Sequence, residues 1–457
     1  MRKYQILILF SILLFLTDCV KTKAESGVPD NILTLLLVNS ILNSNSGPCA
    51  TVESIQASSI GSWSPNGNVF QYSSIYPVTL NQGSPMVQVI LENSDHALGG
   101  LFPFWYLDRN QYNTGFLNKD TATYIGYNTH TSMLPYAKDT SYATDPAVTI
   151  VNTGEFSQPL GVDFNFENPS GAKATFINSC RKLDIDESNF QTSEAFSFMS
   201  GLNHFWSSEK TLDVNLIFVN GSLGQAYPIQ TEQAIDVAMN RWRENFSKSS
   251  VRINLNVSVI SAELDGYDML FDLSTENGYP GSLGGLFQTT SFIGKPNALN
   301  VFIVKSELQY GGVLGVSGGI PGPATLLGTK QSGIAVFVDA HRLFTNSGDL
   351  LAFDEQMLLG ETLSHEAGHF LGLWHVTEAI GDNGSIANKD PLRDTPTCHI
   401  SNDFNFNGVM DLNECLGGGG SDSGGKNMMF WSGAVGFTQG DITAEQGWIL
   451  RLNPLVY

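Results

Sequence analysis

The segment His365-Glu366-Ala367-Gly368-His369-Phe370-Leu371-Gly372-Leu373-Trp374-His375 restricts this chain more than any other stretch of it. Residues four apart share one face of a helix, so a helix through His365 and His369 presents two imidazole nitrogens to one point. Gly372 takes the positive φ that ends a helix, and the turn it permits lets His375 return to the same point. Three nitrogen ligands, with a fourth tetrahedral position left for water, form the donor set of a catalytic zinc site. Glu366, beside the first ligand, is placed to take a proton from that water, whose pKa zinc lowers from about 15.7 towards 7. A bare His-Glu-x-x-His pair recurs by chance, its bland reading being a helix with two exposed histidines. The added Gly and third His stand in a chain with 8 His. A random match to the whole pattern is expected on the order of once in 10⁵ such sequences.

The residues around this segment alternate between strand and helix periods. Leu212 to Val219 reads as a strand. Behind Thr231, a capping residue, Ile235, Met239, Trp242 and Phe246 fall at helical spacing. Val251, Ile253, Leu255, Val257 and Val259 alternate strictly, which predicts a half-buried strand over 251–260. Leu299 to Val304 and Gly333 to Val338 predict further strands. Asp354 is the expected cap of a helix running through Met357, Leu358 and Leu363 to the histidine pair. The order is α+β: a mixed twisted sheet over 206–457 with the motif on a late helix. Residues 49–205 differ, being rich in Ser, Thr, Asn, Gly and aromatics. Short β-type runs recur there at Met86 to Leu91, Leu101 to Leu107, Thr121 to Tyr127, Ala147 to Val151 and Ala174 to Ile177. They predict an all-β, sandwich-like accessory domain without a catalytic constellation.

Arg2 and Lys3 precede an apolar run, Ile6 to Leu16, too short to span a bilayer. Residues 1–18 therefore read as a signal peptide. Leu16-Thr17-Asp18-Cys19 resembles the lipobox of bacterial lipoproteins, with Asp18 in place of the usual small residue. Cys19 is the expected lipidation site and 19–48 an anchored tether; secretory cleavage after Ala24 is the alternative. Either route predicts an exported protein, at the cell surface or outer membrane or secreted. A net charge of −21 argues against nucleic acid as a partner. Once Cys19 is set aside, Cys49, Cys180, Cys398 and Cys415 allow three disulfide pairings. The preferred one joins Cys398 to Cys415 across a short loop and Cys49 to Cys180 across a long one. The rival is a latent enzyme in which a Cys49 or Cys180 thiolate caps the zinc.

Asp403-Phe404-Asn405-Phe406-Asn407-Gly408-Val409-Met410-Asp411-Leu412-Asn413-Glu414 fits the twelve-residue calcium-loop template. Asp403, Asn405, Asn407, Asp411 and Glu414 would give side-chain oxygens and Val409 its carbonyl, with Gly408 at the sharp turn. The bland reading is an Asn/Asp-rich loop that closes its own turns. The glycine-rich stretch Gly417 to Gly425 predicts a flexible loop beside the cleft.

The zinc motif followed by Asn427-Met428-Met429-Phe430-Trp431 resembles the metzincins, and within them the pappalysin (ulilysin-like) family. Leu314 to Gly322, Asp390-Pro391-Leu392-Arg393-Asp394-Thr395-Pro396 and Phe437-Thr438-Gln439 are similar to further stretches of that family. The resemblance covers roughly 210–457. It implies a zinc metalloendopeptidase acting on protein or peptide substrates, with His365, His369 and His375 as ligands, Glu366 as base and Met429 as the Met-turn residue. It also implies a second calcium site at Asp394 and Thr395. The family usually carries Tyr where Trp431 stands, and tryptophan offers no oxygen to the metal. Asp441, after the Met-turn, would favour a basic residue behind the scissile bond. The competing reading is a surface adhesin or ligand-binding lipoprotein with a latent or inactive peptidase fold, and the intact Glu366 counts against it.

Overall fold

A computed structural model describes residues 47–56, 59–63, 70–78, 86–92, 104–107, 127–128, 131–132, 147–151, 160–166, 173–181, 184, 186–187, 205–224, 232–275, 277–343, 351–384, 389–390, 392, 394–416 and 423–457. The chain divides into two compact units, Met1–Gly47 and Pro48–Tyr457, and every element below belongs to the second. The expected signal peptide, Cys19, the tether up to 46, Thr231 and the glycine stretch 417–422 lie outside the described residues.

Ten strands precede residue 180: β1 (Ala50–Gln56), β2 (Ser59–Trp63), β3 (Phe70–Val78), β4 (Met86–Glu92), β5 (Phe104–Leu107), β6 (Tyr127–Asn128), β7 (Thr131–Ser132), β8 (Ala147–Val151), β9 (Leu160–Phe166) and β10 (Lys173–Ser179). They form two four-stranded sheets, ordered β1-β10-β4-β8 and β2-β3-β9-β5, and one pair, β6-β7, with every pairing antiparallel. Of the predicted run Thr121 to Tyr127, only Tyr127 is described.

The rest of the chain is mixed α/β. Strands β11 (Lys210–Val219), β12 (Ile253–Ala262), β13 (Met269–Leu270), β14 (Leu299–Val304), β15 (Ser306–Glu307), β16 (Gly315–Ser317) and β17 (Ile334–Phe337) are joined by helices α1 (Asp236–Ser247), α2 (Leu283–Gln288), α3 (Phe353–Leu371), α4 (Leu412–Cys415) and α5 (Ala444–Leu452). The main sheet runs β12-β11-β14-β17-β16. Its first four strands are parallel, and β16 closes one edge antiparallel to β17. Parallel neighbours need crossovers, which is why helical segments interrupt the strands. The inner strands β14 and β17 are buried at every residue, the pattern of strands covered on both faces. Leu216, Phe218, Val301, Ile303, Ile334 and Val336 face the layer of α1, α3 and α5, whereas Ile217, Val219, Phe302, Val304, Ala335 and Phe337 face α2. The edge strand β12 alternates from Ile253 to Val257 as its sequence predicts, but Val259, expected on the buried face, is 40% exposed.

Helix α3 lies across the sheet with Leu359, Leu363, Ala367, Phe370 and Leu371 in the core. Each of the leucines and Phe370 contributes roughly 1.5–3 kcal/mol of burial. Gly360 lets α1 come close: a Cβ there would lie 2.4 Å from the Ala238 carbonyl oxygen. The predicted cap is corrected by two residues. Ala352 occupies the N-cap, Asp354 is already helical and exposed, and the Glu355 carboxylate accepts the Ala352 N–H at 2.7 Å. Glu355 wins because it reaches back to that N–H from the third helical position.

A buried ionic network joins Arg181, Asp184 and Glu187 to the C-terminal helix. Arg451 is fully buried over the Trp206 ring at 4.7 Å, and its guanidinium donates to the carbonyls of Ser208 (3.2 Å) and Val251 (3.0 Å). Asp184 and Glu187 supply the negative charge, and Arg181 pairs with Glu187 at 2.7 Å.

Candidate active site

Helix α3 delivers His365, Glu366 and His369 from its last two turns. Gly372 ends it at φ 119°, its N–H bonding the Gly368 and His369 carbonyls. The chain then turns, and His375 comes back against the other two rings. Ring centroids lie 4.5 Å (His365–His369), 4.7 Å (His369–His375) and 5.1 Å (His365–His375) apart.

The outward nitrogen of each ring has an acceptor. His365 Nδ1–H donates to the Met428 carbonyl at 2.8 Å, His369 Nδ1–H to the Leu373 carbonyl at 2.7 Å, and His375 Nδ1–H to Glu378 Oε2 at 3.1 Å. These bonds fix the tautomer, so every Nε2 turns a lone pair inward. His365 Nε2 and His369 Nε2 lie 3.2 Å and 3.1 Å from His375 Nε2. Lone pairs at that separation repel one another, and a shared cation resolves the conflict. Tetrahedral zinc with bonds of about 2.0–2.1 Å spaces its nitrogens roughly 3.3 Å apart, so the residues fit that ion. Burial, with His375 adding to it, holds His365 down to about 3, the neutral form a ligand needs. Among the described residues this is the one group of three or more His, Cys, Asp or Glu side chains that converges tightly enough to hold a metal.

Glu366 is buried against edge strand β16, and burial pushes it up to about 8 against the Ser317 N–H that its carboxylate accepts. Gly315 makes this fit possible, since a Cβ there would come 2.7 Å from Glu366 Cγ. Leu314 C=O accepts the N–H of Phe337 in β17, and Gly318 N–H donates to Gly333 just before that strand, at 2.9 Å each. By antiparallel alternation, the backbone groups of Gly315 and Ser317 then point the other way, towards the side on which Glu366 sits.

Beneath the rings runs the turn Asn427 to Phe430. Asn427 closes it twice, its carbonyl accepting the Phe430 N–H (3.0 Å) and its Oδ1 the Met429 N–H (2.9 Å). This turn sets two ligands at once: Met428 C=O holds the His365 ring, and Met429 C=O accepts the N–H of Val376, next to His375, at 3.0 Å. Met429 is fully buried, with Sδ only 2.6 Å from where a Cβ on Gly368 would be. The motif's Gly368 is therefore the space the methionine occupies. Trp431 donates its indole N–H to the Met410 carbonyl at 2.7 Å. Behind the site, Glu361 Oε1 takes Arg241 Nη2 (2.9 Å) and the Gln439 N–H (2.9 Å), tying α3 to α1 and to the segment after the turn.

Both disulfides of the preferred pairing are present, Cys49–Cys180 and Cys398–Cys415. With its sulfur bonded, neither Cys49 nor Cys180 has a thiolate for the metal, which removes the latent-enzyme rival in that form.

The calcium expectation finds no support in the loop 403–414. Its oxygens close on its own backbone: Asp403 accepts the N–H groups of Asn407 (3.2 Å) and Gly408 (2.9 Å), Asn405 that of Asn407 (2.9 Å), and Asn407 that of Val409 (2.7 Å). Glu414 and Asp411 bond each other's N–H groups at 2.9 and 3.1 Å as a capping box on α4. Thr395 turns its hydroxyl to Asp390 Oδ1 at 2.6 Å, and Asp394 Oδ2 accepts the Glu445 N–H at 2.9 Å. Asp390 Oδ2 and Asp394 Oδ1 are buried there without a hydrogen-bond partner. Burial pushes the Asp390 carboxyl well up, against the hydrogen bonds from Thr395 and Leu392 and with smaller help from the charges of Asp394 and Glu445. Asp441 stands near the Lys248 ammonium, which counters its charge.

Sequence reasoning missed Glu378, Gly315 and the Arg241–Glu361 pair. Glu378 left one weak signal, an acid three residues after the third ligand. The other two depend on contacts across the fold.

Residues 297–449 match the model of peptidase family M43, described as pregnancy-associated plasma protein-A. That match supports a metzincin-type peptidase in this part of the chain. It takes in all three histidines, Glu366 and the turn at Met429. No curated protein matches the chain.

Proposed function

We propose that this chain is a zinc-dependent endopeptidase in which His365, His369 and His375 hold the metal and Glu366 is the base. The observation that carries the reading is the convergence of three Nε2 atoms, each ring locked through Nδ1, beside a buried carboxylate. Zinc bound there supplies a Lewis acid and lowers the pKa of water towards 7. Edge strand β16 offers the Gly315 backbone and the Ser317 carbonyl to an extended peptide, which adds as an antiparallel sixth strand. Glu366 takes the proton of the attacking water and passes it to the leaving amine. Trp431 has no oxygen to add and its N–H is engaged elsewhere, so these groups carry the reaction without a phenol. An adhesin would have no use for a buried carboxylate at this spot.

The test is casein cleavage by the chain from residue 20, wild type against Glu366→Ala, with and without a zinc chelator. Cleavage lost in both arms upholds the reading; cleavage surviving in Glu366→Ala overturns the role of the base.

Two finer proposals accompany it. The partnerless Oδ1 of Asp394 is what speaks for the calcium site expected at Asp394 and Thr395; a rise in Tm with calcium that vanishes in Asp394→Ala is the expected result. The stretch Arg2 to Cys19 supports export with a lipid on Cys19, which mass spectrometry of the mature N-terminus decides.

A further inference from the structure

Four large apolar side chains stand in solvent at one end of the main sheet. Phe271 and Tyr279 stack with ring centroids 5.9 Å apart and are 55% and 44% exposed. Leu308 and Tyr310 are 60% and 69% exposed. They share one surface, because β13 pairs with β15, Leu308 N–H donates to the Leu270 carbonyl at 2.7 Å, and Leu273 N–H donates to Gln309 Oε1 at 2.6 Å. Asp272 accepts the Tyr279 hydroxyl and so holds that ring in place. An apolar patch of this kind on a folded protein usually marks a contact surface.

The loop that joins the patch to β16 is stiffened by one carboxylate. Glu307 is buried and accepts the N–H groups of Tyr310 (2.9 Å), Gly312 (2.8 Å) and Val313 (3.3 Å). Burial alone would raise this carboxyl, but the N–H bonds outweigh it and hold it below its ordinary range. One carboxylate thus organises the loop that leads straight into β16.

Direction follows from the register. Leu314 C=O accepts the N–H of Phe337, the last residue of β17. The 308–313 loop therefore reaches β16 from the C-terminal end of β17. A peptide lying antiparallel to β16 runs the opposite way, so its C-terminal part heads towards Tyr310. Fully extended, the five residues from Gly315 back to Tyr310 would span about 16 Å at about 3.3 Å each; the loop curls around Glu307, so Tyr310 lies within roughly three to five substrate residues of Gly315.

We propose that the surface of Phe271, Tyr279, Leu308 and Tyr310 extends the substrate cleft and receives apolar side chains about three to five residues on the C-terminal side of the cleaved bond. This rests on the peptidase reading and names a substrate class for it: polypeptides with an exposed apolar stretch behind the cut, as unfolded proteins have. Continuity with the edge strand selects the substrate's own downstream segment as occupant over a second copy of the chain.

The experiment uses two quenched-fluorescence peptides with one cleavage sequence, carrying either Leu and Phe or Ser at the third to fifth downstream positions. The full mature chain should cleave the apolar peptide with a kcat/KM roughly tenfold higher, the gain lying in KM because the contact acts alike on ground and transition states. Leu308→Ser/Tyr310→Ser should lose that preference and keep the wild-type rate on the Ser peptide, which also shows that the variant is folded. Tyr310→Ser alone should lose part of it. Equal rates on both peptides with wild type, or an undiminished preference in the double variant, overturn the proposal. Cleavage of neither peptide by wild type overturns the peptidase reading and this extension with it.

Discussion

Replacing Glu378 tests whether the ring-locking bonds matter to the metal. His365 and His369 take their Nδ1 acceptors from backbone carbonyls. No side-chain substitution removes those. The Glu378 carboxylate, 3.1 Å from His375 Nδ1, can be removed. Loss of an outer acceptor of this kind costs about 10–100-fold in metal affinity. His375 and Glu378 each keep 24% of the side chain in solvent, so water replaces the lost acceptor in part. The lower end applies: about tenfold, or ~1.4 kcal/mol. Glu378→Gln retains an acceptor and should stay within about threefold of wild type. The assay is competition for zinc with a chromogenic chelator, alongside peptidase rates at limiting zinc. Unchanged affinity in Glu378→Ala would refute the reasoning. So would equal losses in Ala and Gln variants, because charge rather than ring orientation would then be at work.

Three further outcomes follow from other parts of the structure. Glu366→Gln should bind zinc as tightly as wild type and lose at least about 10²-fold in kcat, read by metal analysis and a quenched peptide. Gly360→Ala would set a Cβ 2.4 Å from the Ala238 carbonyl. Overpacking of about 1–3 kcal/mol against a helix gain of about 1 leaves a net loss of up to about 2 kcal/mol, seen as a lower Tm. His341 is fully buried and burial lowers it from 6.5 to about 4. The unfolded chain therefore binds that proton first as pH falls: the contribution is complete above about pH 6.5 and fades towards pH 4, by about 3 kcal/mol in all. Denaturant titrations across that window should show a shallower slope in His341→Gln.

The convergence of the three histidines was legible because its signal is local. The spacing of His365 and His369 on one helix, Gly372 behind them and His375 after the turn are all contained in eleven consecutive residues. The strands from Leu212 to Val338 were legible for a similar reason, since burial on one or both faces writes a period of two or an unbroken apolar run. What escaped depends on distance along the chain. Gly315 matters only because β16 passes α3, and Arg241 only because α1 packs on it. The Asp403–Glu414 stretch shows the limit of a template: Asn and Asp in that spacing suit a calcium ion and a self-closing loop alike, and the hydrogen bonds Asp403 accepts from Asn407 and Gly408 fit both. Asp354 similarly had the chemistry of a cap, and Glu355 had the geometry.

The most direct measurement of the central claim is a zinc titration of the metal-free protein, followed by peptidase activity and bound metal per chain. The account expects no activity without metal and a linear rise that stops at one equivalent, with His375→Ala failing to reach it. Full activity in the metal-free protein, or one tightly bound zinc with no cleavage of any unfolded substrate, would contradict it.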